Sequence, residues 1–248
     1  SNLTTPPNDG FIRDILVAND SVWIATNNAG ILQLDLSGNL IEQIDRSKGM
    51  PSNQTFSLAK DSKENVWVGT LDAGLAIIDK DSKKITTIKI SDPTTLLINI
   101  VITPKDTVFI GTPSGLVRLN KNREVTVYRK DPEDPASIAG NFISNLFIDS
   151  KQRLWVGTRD GLSLLDADLD VENFIPKFQQ IKSDHFNLNI FIDAILEGEN
   201  NDIWIALKTN LIQYNFEKKE LKKFDTSDGI PKSGYWVGSH QMSKDGTM

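Results

Sequence analysis

One segment of this 248-residue chain recurs five times, and nothing else in the sequence constrains the fold so tightly. It reads VWIATNNAGILQLD at 22–35, VWVGTLDAGLAIID at 66–79, VFIGTPSGLVRLN at 108–120, LWVGTRDGLSLLD at 154–166 and IWIALKTNLIQYN at 203–215. Its aromatic markers Trp23, Trp67, Phe109, Trp155 and Trp204 stand 44, 42, 46 and 49 residues apart. A unit of that size cannot bury its apolar surface alone, so neighbouring copies must stack.

Each unit has the same internal layout. A hydrophobic run such as 55–59 or 142–148 leads into a polar turn: DSKEN at 61–65, DSKQR at 149–153, or ENND at 199–202. The aromatic run follows, then a tight turn, then an alternating run ending in Asp or Asn. A last short run closes the unit, as at 85–90, 125–128 and 221–224. These are four strands of about 4–7 residues, bounded by turn formers and rich in β-branched residues. No stretch carries a 3.6-residue apolar period with helix caps. The expectation is an all-β chain.

Two columns carry backbone information. Gly30, Gly74, Gly115, Gly161 and Asn210 end the tight turn. Asn is the common substitute for Gly at positive φ, so this column reads as a left-handed residue closing a hairpin. Ala25, Gly69, Gly111, Gly157 and Ala206 form the second column, where the demand is for small size and close approach of a neighbour. Four-stranded units of about 40–50 residues are β-propeller blades. We expect a β-propeller of four-stranded antiparallel blades, with units at 10–54, 55–95, 96–137, 138–186 and 187–228 and a partial one at 229–248. Two packed sandwiches would not keep so regular a period.

Residues 61–79 and 149–166, with DS, then WVGT, then GL and a closing Asp, resemble the two-component regulator propeller repeat. The connectors GMPSN at 49–53 and GIPKS at 229–233 resemble that family's link between blades, and DPEDPASI at 131–138 its alternative link. The resemblance is weaker in the third and fifth units, where Phe109 replaces Trp and Asn210 replaces Gly. It implies a non-enzymatic sensor or interaction region of a bacterial transmembrane receptor, in the periplasm, attached to the inner membrane by segments outside this chain. Its output is a histidine kinase, often a hybrid one, or a diguanylate cyclase of GGDEF type. The alternative is a propeller lyase or hydrolase resembling streptogramin lyase. Such an enzyme needs a metal-supported general base, usually His, and the two histidines here, His185 and His240, lie in a link and near the end of the sequence.

Composition trims the rest. Net charge is −6 and no Lys/Arg cluster is free of acids, which argues against nucleic acid as a partner. With no Cys there is no disulfide, thiolate metal site or Cys nucleophile. Asp166, Asp168 and Asp170 alternate like calcium ligands but lack the Gly and terminal Glu of an EF-hand, so a solvated turn is the better reading. No catalytic residue, cofactor or metal site is expected.

Binding is expected on one rim, where the turns between second and third strands open beside the links between units. The least repeated positions there are Asn27, Asn28, Asp72, Ser114, Arg159, Asp160 and Lys208, with Tyr235, Trp236 and His240 as further contacts. Loops on a rigid frame commonly carry recognition. A saccharide-like ligand or a homodimer contact through the propeller fits such a rim. The chain opens SNLTTPP without a starting Met or a signal peptide. Residues 235–242 read as the first strand of a sixth unit, and Met248 stands where an aromatic should come next. The expectation is a fragment of a seven-bladed ring.

Overall fold

The computed structural model describes residues 11–90, 96–183, 188–198 and 200–230. The first repeat supplies β1 (Ile12–Ala18), β2 (Ser21–Thr26), β3 (Ile31–Asp35) and β4 (Leu40–Ile44). The second supplies β5 (Thr55–Lys60), β6 (Val66–Thr70), β7 (Leu75–Ile78) and β8 (Ile85–Ile88). From the third come β9 (Asn99–Ile102), β10 (Val108–Thr112), β11 (Gly115–Leu119) and β12 (Val125–Tyr128). The fourth gives β13 (Ile143–Ile148), β14 (Leu154–Thr158), β15 (Gly161–Leu165) and β16 (Gln179–Ile181). The fifth gives β17 (Ala194–Glu197), β18 (Ile203–Leu207), β19 (Asn210–Asn215) and β20 (Glu220–Phe224). Each repeat is one four-stranded sheet with its strands in sequence order. The described residues form an all-β propeller fold.

The chain divides into two compact units, 1–112 with 119–125, and 113–118 with 126–248. In the first, β1 pairs with β2 so that Leu16 lies opposite Trp23 and Asp14 opposite Ala25. Trp23, Ala25 and Ile31 form a core with Leu58, Val66, Val68, Ala76 and Ile78 of the second repeat. In the second unit, Trp155, Leu162 and Leu164 pack with Ile195, Ile203, Ile205 and Ile212. Each fully buried side chain of this kind contributes roughly 1.5–3 kcal/mol. Every residue of β6 (VWVGT) and β14 (LWVGT) is buried, as expected of strands that are apolar on both faces.

The turn between the first two strands is built by its leading Asp. In the second repeat, Asp61 Oδ1 accepts the amides of Lys63 and Asn65 at 3.0 and 2.9 Å. Its other oxygen accepts the Trp67 indole N–H at 2.9 Å. In the fourth, Asp149 does the same for Lys151, Arg153 and the Trp155 indole. Glu64, Asp106, Gln152 and Asn201 occupy one left-handed position of this turn, with φ of 65°, 67°, 61° and 58°.

The glycine column needs one correction. Gly30 and Gly74 are left-handed, at φ 73° and 83°, and Gly115 and Gly161 lie at 153° and 136°. Asn210 does not have positive φ. It pairs with Leu207 as the first residue of β19. Length sets the two left-handed glycines apart from the rest of the column. The first two repeats hold an extra Ala29 or Ala73 before the glycine, and Thr26 and Thr70 donate their amides to Gly30 and Gly74 across that longer turn at 3.1 Å each. In the third, fourth and fifth repeats a two-residue loop makes the column's residue the first of its strand; there Gly115 and Gly161 lie at the larger φ values, and Asn210 is not at positive φ. In the second column close approach is real. A Cβ on Gly157 would stand 2.8 Å from Ile192, and one on Gly69 would run into the Ser57 hydroxyl.

Candidate functional site

In the first, second and fourth repeats the second-to-third-strand turn hangs from the residue ahead of the first strand. The amides of Asn27, Leu71 and Arg159 donate to the carbonyls of Phe11, Gln54 and Phe142 at 3.0, 2.9 and 3.0 Å. The turn is thus fixed on its backbone, leaving its side chains free to differ from repeat to repeat.

The predicted residues divide between the two units. In the first, the Asn27 carboxamide oxygen accepts from Arg13 Nη2 at 2.9 Å, and Arg13 lies 5.0 Å over the Phe56 ring. Asn28 is exposed, and Asp72 meets Arg46 at 3.7 Å in an exposed pair. Such pairs contribute little. In the second unit, the half-buried Ser114 accepts Arg129 Nε at its carbonyl, 3.0 Å away. The Arg159 guanidinium stacks 4.4 Å over Phe142. The Asp160 amide donates to Thr158 Oγ1 at 3.0 Å, and its carboxylate lies against Gly140. Lys208 is exposed, and its charge acts on Asp193. Tyr235, Trp236 and His240 lie outside the described residues, as does His185.

Sequence reasoning overlooked the aromatic floor under these residues. Phe142 and Phe191 stand at corresponding places in the fourth and fifth repeats, with ring centroids 6.0 Å apart. The 191–193 segment is drawn onto the turn by the Ile192 amide, which donates to the Thr158 carbonyl at 3.2 Å. Asp193 follows, 8% exposed and with Oδ2 unpartnered. Burial lifts its carboxyl above the usual carboxylate range, and the nearby Lys208 opposes that rise. The end of the fourth and fifth repeats therefore offers two aromatic rings tilted at 48° to each other, two exposed cations, an exposed acid and a buried carboxyl with acceptor capacity to spare. The signal was present: Phe11, Phe142 and Phe191 each precede an isoleucine at the entry to a first strand.

Elsewhere on the second unit a polar groove of about 550 Å³ is lined by Lys182, Ser183, Asp202, Gln213, Lys218 and Lys222. Asp202 in it is already engaged, accepting from Gln213 at 2.7 Å and Asn215 at 2.8 Å. Among the described residues no group of three His, Cys, Asp or Glu is placed to hold a metal ion. No described helix is long and apolar enough to cross a membrane.

Residues 49–72 and 137–160 match the two component regulator propeller family, each running from a link into the turn after the second strand. A histidine kinase, P4, from Formosa agariphila is 26% identical over 90% of this chain. This chain spans 20% of that relative's length. The extracellular domain of a protein assigned as a hybrid two component system of B. thetaiotaomicron superposes with a TM-score of 0.61. It is 21% identical, over 97% of this chain and 37% of that one. Virginiamycin B lyase of Staphylococcus aureus superposes at 0.68 with 16% identity, over 89% of this chain and 71% of its own. At that identity the likeness is one of fold alone. The chain has a β-propeller fold, and segments of its second and fourth repeats match the two component regulator propeller family.

Proposed function

We propose that this propeller is the ligand-sensing region of a bacterial membrane receptor, placed in the periplasm and anchored in the inner membrane through segments outside residues 1–248. Its output is the histidine kinase activity for which the Formosa agariphila relative is named. The domain itself binds and does not catalyse. The observation that carries this reading is the division of labour within the repeat. Repeated residues hold the frame, whereas the residues that differ between repeats gather at its turns.

The ligand is saccharide-like, seated at the end of the fourth and fifth repeats. A sugar ring presents an apolar face to Phe142 and Phe191 and its hydroxyls to Arg159, Asp160 and Asp193. The test is calorimetric titration of the purified chain with a panel of neutral and acidic oligosaccharides. Binding of at least one is expected, and Phe191→Ala or Arg159→Ala should weaken it tenfold or more. Affinity unchanged in both variants, or no binding across the panel, would overturn this site.

A further inference from the structure

Among the described residues, exposed large apolar side chains concentrate in the first repeat. Ile12, Ile15, Val17, Leu36, Leu40 and Ile41 are each 52% to 65% exposed. Strand register shows that this is a built surface. Ile15 lies opposite Ile24 and Val17 opposite Val22. Ile24 in turn lies opposite Leu32, Val22 opposite Leu34, and Leu34 opposite Leu40. These residues make one apolar face across all four strands. The other face of the same sheet, with Trp23, Ala25 and Ile31, is packed on the second repeat.

The second repeat shows what such a face is for. Leu58, Val68 and Ala76 are aligned across its strands as Ile15, Ile24 and Leu32 are in the first, and Val66 and Ile78 correspond to Val22 and Leu34. These five are at most 7% exposed, because the Trp23 face of the preceding repeat covers them. Even the polar stitch has a counterpart. Asp14 Oδ2 accepts the Leu58 amide at 2.8 Å across that seam, whereas the corresponding Ile15 amide is held at 2.8 Å by Asp14's own Oδ1.

We propose that the Ile15–Leu40 face is the seat of another four-stranded repeat of this motif, belonging to the same polypeptide. That repeat presents a face like that of Trp23, Ala25 and Ile31. The choice of a repeat in the same polypeptide over a second copy rests on continuity. The corresponding face of the second repeat is covered by the repeat just before it in sequence, through a link confined to residues 45–54. A linked neighbour of this kind acts at millimolar effective concentration. The length of the histidine kinase relative, of which this chain spans 20%, leaves room for further repeats.

The test compares residues 1–248 with the natural gene product extended upstream by one repeat, using amide exchange of residues 12–17 and fluorescence of an anilinonaphthalene sulfonate dye. The extension should slow that exchange at least tenfold and remove most dye binding. The pair Ile15→Asp and Leu40→Asp should abolish dye binding in the short chain with little change in its melting temperature, and should lower the melting temperature of the extended one. Unchanged exchange and dye binding on extension would overturn the proposal. So would dimers of both chains that the Asp pair dissociates, because the occupant would then be a second copy.

Discussion

In the second repeat the first-strand residue opposite Gly69 is Ser57, whose hydroxyl donates to the Leu97 carbonyl at 3.0 Å. In the fourth the residue opposite Gly157 is Asn145, 1% exposed, with both polar side-chain atoms unpartnered. The turns of the same two repeats differ in a similar way. Asp61 is half-buried and its polar partner is the Asn65 carboxamide at 2.9 Å. Asp149 is 1% exposed and is bonded to the Arg153 guanidinium at 2.6 Å, which itself lies 3.8 Å over Phe216. These are the two repeats that match the family, so the backbone frame is indifferent to how its interior polar groups are satisfied. The fourth repeat has placed a charge pair where the second has a neutral contact, and it is the more exposed to damage.

The largest expected effect follows from that pair. Asp149→Ala strands the buried Arg153 and should cost about 3–5 kcal/mol, whereas Asp61→Ala should cost about 1–2 kcal/mol. Urea denaturation of both variants checks this, and equal losses would erase the distinction drawn between the repeats. Next comes the turn. Gly74→Val puts a β-branched residue at φ 83° with its Cβ 2.8 Å from the Ile88 carbonyl. It should cost about 1–3 kcal/mol. Asn210→Gly, in a repeat whose turn needs no left-handed residue there, should cost at most about 1 kcal/mol. A smaller contrast separates the seams. Ser57→Ala loses a made hydrogen bond, about 1 kcal/mol, while Asn145→Leu removes two unpartnered polar atoms and should be near neutral.

A further contrast is one of pH. Asp14 stands opposite Ala25 as Ser57 stands opposite Gly69, and burial raises its pKa to about 6 against the pull of the Leu58 and Ile15 amides. Because the folded pKa lies above the unfolded one, the folded chain holds this proton more tightly. Its stabilising contribution is complete below the ordinary carboxylate pKa and is lost as pH rises through about 6. Between pH 4 and 7 the parent should lose stability with rising pH, and Asp14→Asn should flatten that slope. A slope of equal steepness in the variant would exclude Asp14 as its source.

Much of this was legible. The sheet order follows from four apolar runs per period, and the Asp turns follow from DSKEN and DSKQR. Asn210 misled because the column was aligned by residue type across turns of two lengths, T-x-x-A-G in the first two repeats against T-x-x-G and L-x-x-N in the others. The site's aromatic floor and Asp193 escaped because contacts between repeats join residues far apart in sequence, which no local pattern marks. The same is true of Ser62 Oγ to Asp106 at 2.8 Å and Ser150 Oγ to Glu197 at 2.8 Å. Their spacings of 44 and 47 residues match the repeat period only once the partners are known.

Those serine–carboxylate clasps have a kinetic consequence. One ties the second repeat to the third and the other ties the fourth to the fifth, so each clasp joins neighbours inside one compact unit. Within such a pair, opening one repeat releases its clasp but leaves the strand pairing of its neighbour in place, so the two need not open together.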